Sequence, residues 1–357
     1  MRKMNFTAGP ATLPEEVIEA AQAALWDIGV GAGILEISHR TPLFDEIMHE
    51  TQAEFRRIAN VHEDYAILFM QGGATLQFCE LPMYLTRPGD HIDCIHTGFW
   101  TRNAMRDAVH FTRVHYAYDG ASSGFEHIPT EDEIVYSVSP RYVYYCANNS
   151  FMGTEWQHPP RHAPAPLVAD MSSNIFSRPI DVNAHGAIFA STQKNLGIAG
   201  CCVLIIRKDW LDMAEHPSMF DYRRQAEARS MLNTPPVFAI FMLRQMLAWI
   251  ARHGGLEGML ERNRKKAAIV RQAIDETEGF FRHVGEPQSR SLMNIAFRSP
   301  SQALDDLFVV EAEKAHMFGL KGHRETGGLR ASLFNAMKTE HCQSLADFIR
   351  EFTRKFG

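Results

Sequence analysis

Lys194 stands in the stretch STQKNLGIAG, Ser191 to Gly200, between two apolar runs, Ala187-Ile188-Phe189-Ala190 and Cys201-Cys202-Val203-Leu204-Ile205-Ile206. Such runs read as buried strands, and an unpaired ammonium between them is costly. A lysine there either escapes to solvent or is kept for chemistry. Asp170 ends another apolar stretch, Leu167-Val168-Ala169, and Met171-Ser172-Ser173 follows it. A carboxylate at the carboxyl end of a parallel strand lies where open α/β sheets bind ligands, although Asp-x-Ser also commonly caps the next segment. Gln71-Gly72-Gly73-Ala74-Thr75 falls at a strand-to-helix junction. Its small residues let backbone N–H groups approach an anion, and the helix N-terminus adds partial positive charge. A plain tight turn fits the same residues. Taken together, an anion cradle, an acid on one strand end and a lysine after another are what pyridoxal 5'-phosphate requires. The lysine would form an imine with it, the carboxylate would pair with its pyridinium nitrogen, and burial would supply the neutral amine by lowering the lysine pKa.

The basic residues bear on what such a site binds. Arg330 lies in GGLRASL, where small and apolar neighbours predict a strand entering the core. A guanidinium there matches a carboxylate bidentately. His39-Arg40 and His323-Arg324 fall in segments with few acidic neighbours. Solvated surface charge is the ordinary fate of such residues. Other motifs fail on context. The glycines of GVGAG (Gly29, Gly31, Gly33) follow a helix and precede ILEISHR, which is not helical, so they make no dinucleotide fingerprint, and no Walker sequence occurs. Seventeen histidines show no HExxH or comparable spacing, so no metal site is expected.

These residues need a scaffold, and the chain has the means for one. Its 357 residues are 45% hydrophobic and 22% charged, which predicts about two domains. A net charge of -6 gives no reason to expect nucleic acid or an anionic membrane as partner. No apolar run approaches the roughly 20 residues of a membrane span, and MRKMNFTAGP lacks the apolar core of a signal peptide. The six cysteines form no CxxC pair and sit mostly in apolar runs, as in a reduced cytoplasmic protein.

Helix and strand signals alternate through the first two thirds. Thr12 and Glu15 suggest a capping box with Pro14 in the first turn, and Thr41-Pro42 opens a second helix. Strands are expected at Ala66–Met70, Ile92–Ile95, Tyr142–Cys146, Leu167–Ala169 and Ala187–Ala190, with helices at Ala74–Phe78 and Thr101–His110 between them. This alternation predicts an α/β fold, with a mostly parallel sheet flanked by helices. After NTPP the pattern changes. An apolar helix Val237–Ile250 ends at Gly254-Gly255, and a long charged helix covers Leu256–Glu278. Strand Met293–Phe297, helix Leu304–Phe318, a strand around Gly328–Leu333 and helix Leu345–Lys355 complete a smaller α+β unit. The expected division is a large cofactor-binding domain at 15–255 and a small domain at 256–357, joined by the N-terminal segment 1–14.

Several stretches, in this order, carry a close resemblance over nearly the whole chain: NFTAGPATLP, EISHR, QGGATLQF, GFW, ADMSSNIFSRPIDV, STQKN, NTPP and KGHRETGGLRAS. The sequence resembles the phosphoserine-forming branch of the class V aminotransferases, which are pyridoxal-phosphate enzymes of fold type I. The resemblance implies that Lys194 is the Schiff-base lysine and Asp170 the partner of the pyridine nitrogen. It places Trp100 on the cofactor ring, the Ala74 and Thr75 N–H groups with Gln193 at its phosphate, and Ser150 at its phenolic oxygen. Asn233 and Thr234 would reach the phosphate from a second subunit, making a homodimer with composite sites. Arg330 would take the substrate α-carboxylate, while His39, Arg40, His323 and Arg324 would surround the substrate phosphate, some of them across the dimer. The implied reaction passes an amino group from glutamate to 3-phosphohydroxypyruvate in serine biosynthesis. It leaves room for 4-phosphohydroxy-L-threonine of pyridoxine biosynthesis. Gly-Gly-Ala in the cradle and Ser150 for the commoner threonine depart from the family pattern but keep the backbone donor and the hydroxyl. A cysteine desulfurase or lyase on the same fold would need a nucleophilic cysteine on a mobile loop, which none of the six provides. A binding protein without catalysis would not need Lys194, Asp170 and Arg330 together.

Overall fold

Strands that are apolar on both faces must be covered on both sides, and the central sheet is built from them. The chain begins with β1 (Met4–Asn5), α1 (Glu15–Trp26) and α2 (Pro42–Ala59). Then β2 (Tyr65–Met70), α3 (Gly73–Leu85), β3 (His91–His96), α4 (Phe99–Ala108) and β4 (Arg113–Asp119) alternate. After β5 (Val143–Cys146) come a short hairpin, β6 (Asn148–Asn149) with β7 (Thr154–Glu155), and then β8 (Leu167–Asp170), β9 (His185–Ser191) and β10 (Cys202–Arg207). Seven of these form one sheet in the order β2-β10-β9-β8-β5-β3-β4. Only β10 runs antiparallel to its neighbours, so the sheet is mostly parallel. Alternate residues feed two cores. Ile67, Phe69, Val203 and Ile205 face one that includes α1 and α2, while Leu68, Met70, Leu204 and Ile206 face another that includes α3 and α4. The structure is a computed structural model describing residues 2–213 and 216–357, so Met1 of the leader lies outside the described residues.

The second part of the chain continues with α5 (Tyr222–Glu227), α6 (Val237–Arg252) and α7 (Gly255–Asp275). After these come β11 (Arg282–His283), β12 (Asn294–Arg298), α8 (Gln302–Lys314), β13 (Met317–Phe318), β14 (Leu329–Ser332) and α9 (Thr339–Phe356). A three-stranded sheet, β11-β12-β14, shares a third core with α7, α8, α9 and Phe6. Helix α7 belongs to two cores. Leu256 and Met259 join the core of α1 and α2, while Ala267, Val270 and Ile274 join that of the small sheet.

Three local expectations are corrected, and one strand was not expected. No capping box forms at Thr12: Pro14 is itself the N-cap of α1 with no side-chain bond, and the Glu15 carboxylate accepts from Lys338 Nζ at 2.8 Å. The helix expected over 304–318 stops at Lys314, because His316 adopts a left-handed φ of 62° and Met317-Phe318 pair in parallel with Met4-Asn5. The last helix begins earlier than expected, at Thr339. Strand β4, RVHYAYD, is an edge strand in which only Ala117 is buried, and its exposed polar residues hid it. No helix among the described residues is long and apolar enough to cross a membrane.

Candidate active site

The carboxyl ends of β5, β8 and β9 converge on a cavity of about 410 Å³, within the range of roughly 300–1,000 Å³ typical of ligand pockets. Lys194, three residues beyond β9, and Asp170, the last residue of β8, are both buried in its wall. Burial holds the Lys194 amine below its ordinary pKa, offset in part by Asp170. Burial likewise pushes Asp170 up, while the Ser172 side chain and its N–H, 2.9 Å from Oδ1, and then Lys194 hold it down. Lys194 Nζ lies 5.7 Å from the centroid of the Trp100 ring and makes no hydrogen bond to the described residues. A buried amine and a buried carboxylate in one wet cavity suit imine formation and proton transfer at carbon.

The remaining walls come from distant parts of the chain. Gly72 and Gly73 both have left-handed φ (84° and 67°), which turns the chain sharply from β2 into α3 and aims the first helical N–H groups at the cavity. Ala74 N–H donates to Ser191 Oγ at 2.7 Å, whereas Thr75 N–H makes no hydrogen bond to the described residues. Trp100 Nε1 donates to Ser150 Oγ at 3.3 Å. Arg330, in β14, is buried with one guanidinium N–H on the Ser150 carbonyl at 3.2 Å and Nε without a partner. Burial lowers its pKa to about 10. The N-terminal segment closes one side. Gly9 lies so near that an added Cβ would be 3.3 Å from Lys194 Cγ, and Ala11 N–H donates to the Gln193 carbonyl at 2.9 Å.

Ala74, Thr75, Trp100, Ser150, Asp170, Gln193, Lys194, His323 and Arg330 therefore line one cavity. Five other expected residues do not. His39 and Arg40 line a separate surface hollow with Thr41, Asp45, Ala228 and Met231. Arg324 is exposed beside His323 and outside the cavity lining. Asn233 and Thr234 also lie outside it, although the Thr234 carbonyl accepts from Gln71 Nε2 at 2.9 Å, next to the cradle. Sequence reasoning missed Phe151 and Ser191. Ser191 sat within the quoted STQKN, but nothing local marked Phe151. Cys146 also reaches the cavity, yet burial raises its thiol pKa far above neutrality, so it is no nucleophile.

The residues fit pyridoxal phosphate on their own terms: a partnerless buried amine, a buried carboxylate, an indole on the wall and an open helix N-terminus. Comparison with known proteins agrees. The family model "Aminotransferase class-V" matches residues 3–345. The chain is 42% identical over its full length, and that of the relative, to the phosphoserine aminotransferase of Herpetosiphon aurantiacus. It is 41% identical to that of Geobacillus kaustophilus, over 100% of this chain and 99% of the relative. Among solved structures, the phosphoserine aminotransferase from Bacillus circulans subsp. alkalophilus superposes with a TM-score of 0.97 at 39% identity, covering 100% of this chain and 99% of that one. A pyridoxal-phosphate-bound phosphoserine aminotransferase from Trichomonas vaginalis superposes with a TM-score of 0.93 at 36% identity, covering 98% and 100%.

Proposed function

The chain belongs to the class-V aminotransferases, and from that premise we propose that it transfers the amino group of glutamate to 3-phosphohydroxypyruvate, yielding O-phospho-L-serine and 2-oxoglutarate in serine biosynthesis. The observation that carries this reading is one cavity lined by Lys194 and Asp170 together with Arg330 and His323.

Pyridoxal phosphate, when bound, supplies the electron sink that lets the Cα–H bond of an amino acid break. Lys194 would hold it through Nζ, and its buried amine is suited to move the Cα proton as general base and general acid. Asp170 would pair with the ring nitrogen, Trp100 would contact the ring, and Ser150 would offer its hydroxyl to the phenolic oxygen. Thr75, Ala74 and Gln193 would take the cofactor phosphate. Arg330 receives the α-carboxylate shared by both amino acids. His323, with Arg324, receives the phosphate of one substrate and the distal carboxylate of the other.

His39, Arg40, Asn233 and Thr234 serve the site of a second copy, making a homodimer with composite sites. Their position outside their own chain's cavity supports this arrangement, as does the hollow of about 540 Å³ that His39 and Arg40 line. The absence of disulfides among the six cysteines suits a cytoplasmic enzyme. The test is amino transfer from glutamate to a panel of phosphorylated and unphosphorylated keto acids, with 4-phosphohydroxythreonine as a further amino donor. Phosphohydroxypyruvate should be the preferred acceptor. Arg40→Ala and Arg324→Ala should impair phosphoserine more than glutamate, because the phosphate brings the greater negative charge. Equal losses would leave only a generic aminotransferase.

A further inference from the structure

Phe151 sits at the tip of the β6–β7 hairpin, on no element that carries a reacting group, yet its ring meets both arms of the anion-binding end. The His323 imidazole stacks on it with centroids 3.8 Å apart and planes 12° apart. The Arg330 guanidinium carbon lies 5.4 Å from its centroid. Phe99 and Trp100 pack at its sides, 4.7 and 5.7 Å away. The hairpin itself is firmly held. Phe151 N–H donates to Asn149 Oδ1 at 3.2 Å, Asn149 Nδ2 donates to the Thr97 carbonyl at 2.7 Å, and Ser291 N–H donates to the Gly153 carbonyl at 2.8 Å. Gly153 approaches β12 so closely that a Cβ would lie 2.7 Å from the Asn294 carbonyl oxygen.

The His323 ring has two aromatic neighbours, the stacked Phe151 and, 5.2 Å away and tilted by 55°, Phe99. Its Nδ1 accepts from Glu325 N–H at 3.3 Å, a bond within its own segment. That bond puts the ring proton on Nε2, which is left to donate outward. Of the two aromatic contacts only the Phe151 face lies parallel to the imidazole and sets its plane. Arg330 is held by the Ser150 carbonyl and by the same Phe151 ring.

We propose that Phe151 is a positioning and specificity residue, whose ring fixes the spacing between His323 and Arg330 and so selects amino acids bearing a second anion at the matching distance. This rests on the reading that Arg330 takes the α-carboxylate and His323 the distal anion. An aromatic pair plus one cation–π contact contribute on the order of a factor of ten to binding. The charged groups that bear on His323 are Arg330 from β14, Arg102 from α4, and Glu325 and Arg324 from its own segment.

The experiment uses the holoenzyme and the variants Phe151→Leu and Phe151→Tyr, in single-turnover reactions with phosphoserine and with alanine, which has no distal anion. Phe151→Leu should raise half-saturation for phosphoserine about tenfold and for alanine by about threefold, with limiting rates nearly unchanged, because two contacts are lost in one case and one in the other. Phe151→Tyr, which keeps the ring, should stay close to native. In histidine-labelled protein followed by NMR, the His323 titration midpoint should rise in Phe151→Leu, since burial, to which the stacked ring contributes, holds it below its ordinary value. Equal losses for both amino acids, a tyrosine variant as impaired as leucine, or an unmoved His323 midpoint would each overturn the proposal. A native enzyme that does not convert phosphoserine would instead overturn the functional reading, and the His323 midpoint would still test the ring's hold on the imidazole.

Discussion

Replacing Arg330 by methionine removes a buried cation while keeping an unbranched side chain that can occupy much of the same volume. Among the described residues that cation has few partners: one bond to the Ser150 carbonyl, the Phe151 ring, and an Nε with none. Burial lowers its pKa from the ordinary guanidinium value to about 10. At about 1.4 kcal/mol per unit, that depression corresponds to roughly 3 kcal/mol of unfavourable burial. The lost bond and ring contact offset part of it, so Arg330→Met should stabilise the unliganded protein by about 1–2 kcal/mol, seen as a melting temperature raised by a few degrees. The same substitution should weaken both phosphoserine and glutamate. Loss of one partner of a buried charge pair typically costs about 2–5 kcal/mol, or roughly 30-fold to several-thousand-fold in half-saturation. Paired measurements decide the matter: thermal unfolding of the cofactor-free proteins, and single-turnover kinetics of the loaded ones. A variant that melts lower than native refutes the argument that Arg330 is held at a cost. A variant that still binds both amino acids normally removes Arg330 from the α-carboxylate site.

Two further outcomes are expected. Lys266, fully buried in α7, donates to the carbonyls of Leu333 and Phe334 at 2.9 and 2.7 Å, and burial holds its pKa at about 7. A lysine depressed on folding leaves the unfolded chain binding more protons between about pH 7 and 10.5, so stability should rise with pH across that window, by at most about 1.4 kcal/mol per unit. Urea unfolding of native protein and Lys266→Met at pH 7 and pH 9 measures it, and equal changes in the two would refute the assignment. For the composite dimer, mixing inactive Lys194→Ala with Arg40→Ala, which is impaired toward phosphoserine, should under exchange bring phosphoserine turnover to about a quarter of native, because each mixed dimer of a two-fold assembly regains one intact site. No recovery after verified exchange would count against sites shared between subunits.

Much of this architecture was legible because burial on both faces leaves continuous apolar runs, as in Ile67-Leu68-Phe69 and Val203-Leu204-Ile205. Lys194 and Asp170 stood out for the converse reason: ionisable residues at the ends of such runs. Edge strand β4 was not legible, since half its residues face water and carry polar side chains. Strand β13 was hidden because Met317-Phe318 continue the apolar spacing of α8, and only pairing with the far end of the chain makes them a strand. Phe151 could not be picked out for a related reason. Its significance comes from His323 and Arg330, which the sequence places far away, and one sequence contains no distances.

The pairing of Met4-Asn5 with Met317-Phe318 also has a consequence for biosynthesis. Contacts between residues remote in sequence form late, after the intervening chain has been made and ordered. The segment that lays Gly9 against Lys194 and ties Ala11 to Gln193 is anchored by that pairing, so its anchor cannot form until nearly the whole chain has left the ribosome. The nascent large sheet would meanwhile hold Lys194 and Asp170 in an open groove. Enclosure of the cavity is thus tied to synthesis through Phe318, and a product ending before it would have Lys194 without the wall that encloses it.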